Sequence, residues 1–257
     1  MTLAYDDVGR GRPLVLLHGF PLSRAMWRPQ RDELAKHCRL ITPDLPGFGD
    51  SPPAAAPTVE AMADAVADLL TRMKLTEPVV LGGLSMGGYV SFAFVRKYPT
   101  RLAGLILADT KADPDDETAK ANRDKMIGFA STNPPSAVVE QMLPKLVAPS
   151  APPEVVAELK RIGAAQRPAG IVAALQALRN RPDSTPTLAQ VRVPTLILVG
   201  REDALTPPAQ AEKMARGIPT AKLVAIDRAG HMANLEAPAA FNDAVREFVL
   251  GLGAPTV

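Results

Sequence analysis

Short apolar runs recur along the chain: PLVLLHG at 13–19, RLITPD at 39–44, PVVLGG at 78–83, LAGLILAD at 102–109, PTLILVG at 194–200 and AKLVAID at 221–227. Runs of this length without polar alternation predict strands buried on both faces of a sheet. Between them the period changes. Over 58–73, Val59, Met62, Val66, Leu69, Leu70 and Met73 share one helical face, while Asp64, Asp68 and Arg72 fall elsewhere. Residues 31–38 and 238–252 follow helical spacing too. Strands alternating with helices predict an α/β fold, a mostly parallel sheet with helices on both faces. Gly9-Arg10-Gly11 is expected to form a turn between strands, and SPPAAAP at 51–57 a loop.

The alternation stops between about 112 and 187. This stretch has frequent prolines and no buried-strand run, and its spacing predicts helices at 116–130, 136–147, 153–163 and 169–179. An all-helical excursion between two strands is expected beside the carboxyl ends of the sheet, where open α/β sheets bind ligands. The expected organisation is a core domain, 1–111 and 188–257, with a helical cap, 112–187.

From Val79 to Val95 there is no charged residue, a run near the lower limit for a membrane helix. Four glycines at 82, 83, 87 and 88 interrupt it, and Arg96, Lys97 and Pro99 end it. A buried strand, a tight turn and a buried helix fit better, so no membrane association is expected. A length of 257 residues suits one α/β domain, and 47% hydrophobic against 22% charged residues allows a sizeable core. The net charge of +2 comes from scattered basic residues, not the clustered face that nucleic acid requires. Cys38 is the only cysteine, which excludes an intrachain disulfide and a cysteine-based metal site. The first residues, MTLAYDDVGRGRP, lack the basic start and apolar core of a secretory signal, so the cytoplasm is the expected location. Oligomeric state leaves no trace in the sequence.

Within the uncharged run, Gly83-Leu84-Ser85-Met86-Gly87 fits G-x-S-x-G between a predicted strand and a predicted helix, the context the motif requires. A serine on so sharp a turn is exposed at the strand's end, at a helix N-terminus that favours developing negative charge. Its hydroxyl needs a base. Among three histidines, His37 closes a predicted helix and His18 comes too early, which leaves His231 in DRAGHMANLEAP, where Gly230 would permit a tight turn. The acid should follow another strand between serine and histidine. Asp203 in TLILVGREDALTPP does so, ahead of a helix start at Thr206-Pro207; Glu202 and Asp109 are its rivals. The oxyanion hole is expected from the backbone amides of Met86 and Phe20.

The ordered set HGFP, DLPGFGDS, GLSMGG, VGREDALTP and AGHMANLEAP resembles the α/β-hydrolase superfamily across nearly the whole chain outside the excursion. GGLSMGGY with LADTKAD is most similar to small bacterial carboxylesterases and the enol-lactonase group. The resemblance implies hydrolysis of a small-molecule ester and assigns Asp44, Gly47, Gly49 and Ser51 to scaffold. Ser85 stands where the superfamily's haloalkane dehalogenases and epoxide hydrolases carry aspartate. Lactonase, perhydrolase and a non-catalytic ligand-binding protein are the alternative readings. No metal-ligand motif or phosphate-binding glycine loop occurs, so no cofactor is implied. Met126, Phe129, Met142 and Leu143 are expected to line an aliphatic substrate pocket, and Lys111, Arg123 and Lys125 are the cations near enough to recognise a carboxylate.

Overall fold

Side chains on successive residues of the central strands divide between two apolar layers, one on each face of the sheet. The computed structural model describes residues 2–253. Its strands are β1 (Tyr5–Gly9), β2 (Pro13–Leu17), β3 (Arg39–Pro43), β4 (Val79–Leu84), β5 (Leu102–Ala108), β6 (Thr195–Gly200) and β7 (Ala221–Ile226). The helices before the excursion are α1 (Arg28–Leu34), α2 (Val59–Arg72) and α3 (Met86–Lys97). Then come α4 (Glu117–Thr132), α5 (Pro135–Leu146), α6 (Pro153–Ala164) and α7 (Pro168–Arg179). Last are α8 (Thr185–Leu188), α9 (Pro208–Gly217), α10 (Ala233–Glu236) and α11 (Pro238–Gly251).

The strands form one sheet in the order β1-β3-β2-β4-β5-β6-β7. Every pairing is parallel except β1 with β3. In β6, Ile197 and Val199 join the layer under α2, α3 and α9, while Leu196 and Leu198 join the layer under α1 and α11. This two-sided burial explains why the central strands read as continuous apolar runs. The chain belongs to the α/β class that its pattern predicts.

Two details depart from the sequence reading. The 31–38 helix begins earlier and ends at Leu34, because the chain must turn through 35–38 to enter β3. The backbone there lies so close to Gly9 that a Cβ on Gly9 would sit 2.3 Å from the Cys38 carbonyl oxygen. Next, β7 is an edge strand and only partly buried, not enclosed on both faces. Cys38 itself is buried, and burial pushes its thiol up to about 11. The four helices of the excursion fall within two residues of their predicted bounds.

Candidate active site

Where β4 meets α3, the backbone leaves no room for side chains. A Cβ on Gly83 would lie 2.2 Å from the Gly87 carbonyl carbon, and one on Gly87 would lie 2.3 Å from the Leu17 carbonyl oxygen. Between them Ser85 takes φ +53° and ψ −111°, a conformation costing about 1–3 kcal/mol for a non-glycine residue. Hydrogen bonds to the end of β5 hold the turn: Ser85 N–H donates to Ala108 O at 2.9 Å, and Thr110 Oγ1 donates to Ser85 O at 2.9 Å.

Two further loops reach this turn. Ser85 Oγ lies 2.8 Å from His231 Nε2, and His231 Nδ1 lies 2.8 Å from Asp203 Oδ2. Asp203 is acceptor-only when ionised, so Nδ1 carries the proton and Nε2 is the nitrogen left to accept from the serine hydroxyl. Asp203 is further supplied by the N–H groups of Leu205 (2.8 Å) and Thr206 (2.9 Å) at Oδ1, and by the Thr206 hydroxyl (2.6 Å) at Oδ2. Burial raises the Asp203 carboxyl, but the bonds from His231 and Thr206 outweigh it and hold it below the usual value.

The rival residues stand apart from this relay. Glu202 is exposed. Asp109 is buried at the end of β5 with φ +44°, and its Oδ1 accepts the Gly200 N–H at 2.8 Å. Burial and then the Asp203 charge push the Asp109 carboxyl well above the carboxylate range. His18 is buried, accepts the Leu45 N–H at Nε2 (2.9 Å) and donates from Nδ1 to Gly19 O (3.1 Å). It thus ties the HGFP loop to the DLPG loop. Asp44 accepts from the Arg24 guanidinium and from the backbone N–H groups of Arg24 and Asp50.

Gly230 serves closeness, not turning. Its φ is not positive, and a Cβ there would lie 2.4 Å from Ala148 N, in the link between α5 and α6. Thr206 likewise differs from its expected role as a helix cap. Pro207 caps α9, and the Thr206 hydroxyl turns back to Asp203.

Ser85 opens onto a cavity of about 370 Å³, whose wall includes Phe20, Met126 and Met142. Phe129 and Leu143 are not part of that wall. Phe129 packs against the layer under α2 and α3, and Leu143, next on the helix after Met142, turns to the opposite layer. Lys111 and Arg123 do line the cavity, and Lys125 is exposed away from it. Neither Phe20 N–H nor Met86 N–H has a hydrogen-bond acceptor among the described residues. Tyr89, Asp115 and Lys145 also line the wall and escaped the sequence reading. A wider recess, about 730 Å³, lies at the amino ends of β5 and β6, away from Ser85.

A family model described as alpha/beta hydrolase fold matches residues 12–238. This chain belongs to the α/β-hydrolase family. A thermophilic esterase from Thermogutta terrifontis, solved malate-bound, is 45% identical with a TM-score of 0.94, covering 97% of this chain and 93% of its own. The pimeloyl-[acyl-carrier protein] methyl ester esterase of Aromatoleum aromaticum is 31% identical over 88% of this chain and 93% of its own. The enol-lactonase from Burkholderia xenovorans is 26% identical with a TM-score of 0.88, covering 96% of each chain. A lactone is a cyclic ester, so all three relatives are named for hydrolysis of an ester bond. Among the described residues of the α/β hydrolase, no helix is long and apolar enough to cross a membrane.

Proposed function

We propose that this α/β hydrolase is a carboxylesterase for short to medium acyl esters, acting through Ser85, His231 and Asp203. The unbroken relay from Asp203 through His231 to Ser85, opening onto the cavity, carries the reading. As Ser85 Oγ attacks the ester carbonyl, His231 Nε2 takes its proton. Asp203 keeps the imidazole in the required tautomer and stabilises the imidazolium. The carbonyl oxygen gains negative charge beside the amides of Met86 and Phe20, and one such donor is worth about 2.7–4 kcal/mol in the transition state. His231 then protonates the leaving alcohol. Water, deprotonated by His231, attacks the acyl-enzyme and releases the acid.

A volume near 370 Å³ is at the small end of ligand pockets, which supports a compact acyl group. Residues from α4, α5 and α7 form much of the wall, which supports reading 112–187 as a cap over the core. The test is steady-state hydrolysis of p-nitrophenyl esters from acetate to decanoate, beside an aliphatic lactone. Activity should peak among the shorter chains, and Ser85→Ala should lower kcat on the order of 10⁶-fold with unchanged circular dichroism. Ester turnover that survives in purified Ser85→Ala would remove Ser85 from the mechanism.

A further inference from the structure

The cavity wall carries more positive than negative charge. Lys111, Arg123 and Lys145 line it, against the single wall carboxylate of Asp115. Asp115 already serves two guanidinium groups: Arg181 Nη2 lies 2.8 Å from its Oδ1, and Arg123 Nε lies 3.1 Å from its Oδ2. Arg181 is buried and fully engaged. It donates to the carbonyls of Leu178 (2.7 Å) and Asp113 (3.0 Å), and its guanidinium stacks 4.3 Å from the Tyr89 ring centroid. One buried carboxylate therefore balances one buried cation.

What remains is unbalanced. Lys111 Nζ reaches Asp115 only at 4.0 Å, beyond hydrogen-bond range, and has no other polar partner among the described residues. Arg123 binds Asp115 through Nε alone, and its two terminal amino groups have no acceptor among the described residues. Lys111 is half-buried; burial, and next the Arg181 charge, lower its pKa, a cost that an incoming anion reverses. Asp115 fixes the Arg123 stem and leaves its fork free, the arrangement suited to a planar, two-oxygen anion. An entirely neutral ester would leave Lys111 Nζ and the terminal amino groups of Arg123 without an anionic acceptor.

We propose that Lys111 and Arg123 form a carboxylate subsite, so that the preferred substrates are small esters or lactones bearing a free carboxylate. The inference deepens the esterase reading and rests on it for the reaction, while the binding it describes can be measured separately. The carboxylate can belong to the acyl part or to the alcohol part, and the two give different substrates.

The experiment compares kcat/KM for matched pairs. Monomethyl glutarate against methyl pentanoate places the charge on the acyl side; butyryloxyacetate against propyl butyrate places it on the alcohol side. In at least one pair the anion should be favoured about 10-fold or more, through KM, as for one charge-assisted hydrogen bond. Lys111→Met should bring that ratio toward one, and Lys111→Arg should keep it. Neutral esters turned over with no anion preference in either pair would overturn the subsite and leave the esterase standing. Calorimetry with glutarate covers an enzyme that hydrolyses none of the four. Binding by the wild type that Lys111→Met loses would support the subsite and count against the esterase; no binding would overturn both.

Discussion

Both carboxylate oxygens of Asp203 are occupied by donors, and the Thr206 hydroxyl supplies the shortest bond at 2.6 Å. That hydroxyl also lies 3.2 Å from His231 Nδ1, so one side chain touches both Asp203 and His231. Thr206→Val keeps the shape and deletes the donor. A hydrogen bond to a charged group is worth about 1.5–3 kcal/mol, so kcat/KM at neutral pH should fall about 10-fold or more. The pH dependence of stability should move as well. The folded Asp203 carboxyl lies below its unfolded value of about 3.9, so its stabilising contribution is complete above that pH and is lost as pH falls through the folded value. In Thr206→Val the folded value rises and the contribution shrinks, which denaturant unfolding over an acid pH series will show; superimposable curves would refute the role. Ser85, His231 and Asp203 were legible because each stands in a local signature after a strand. Thr206 was not, since threonine before proline also signals a helix cap and only the folded loop shows where its hydroxyl points.

A contact between loops sets the position of His231. Gly230 lies against the link between α5 and α6, and Glu236 in α10 fastens the two together. Its Oε2 accepts the Ala148 N–H at 2.8 Å and its Oε1 accepts the Met232 N–H at 3.2 Å. In Glu236→Gln the amide presents N–H to one of these donors, and a buried unpaired N–H costs about 1–3 kcal/mol. Unfolding free energy should fall by that amount and kcat should fall with it, whereas the exposed Glu202→Gln should change neither. Wild-type kcat and stability in Glu236→Gln would show that the fastening is dispensable. The helices of the excursion were legible from their apolar spacing, and prolines at 135, 153 and 168 stand at the first turns of three of them. Which side chains face the cavity was not. Spacing marks Met142 and Leu143 alike as apolar, yet neighbours on a helix point about 100° apart, and only Met142 reaches the cavity wall.

The parallel sheet gathers the chemistry. β2, β4, β5, β6 and β7 lie side by side, and the segments after their carboxyl ends carry Phe20, Ser85, Asp109, Asp203 and His231 in that order. Antiparallel neighbours would send alternate segments to the opposite edge of the sheet. The strand-helix alternation therefore already implied that these loops would meet, and the fold was readable from it. The Asp115–Arg181 pair was not, because its members are far apart in sequence and their burial follows from packing α4 and α7 together.

The claim that this assembly makes Ser85 a nucleophile is tested most directly by a p-nitrophenyl alkylphosphonate, which traps an attacking hydroxyl as a stable ester. Intact-mass analysis and peptide mapping should find one adduct, on Ser85, with one equivalent of nitrophenol released. Ser85→Ala should take up none, and His231→Ala should react far more slowly. An adduct on another residue, or esterase activity that persists in fully modified protein, would contradict the account.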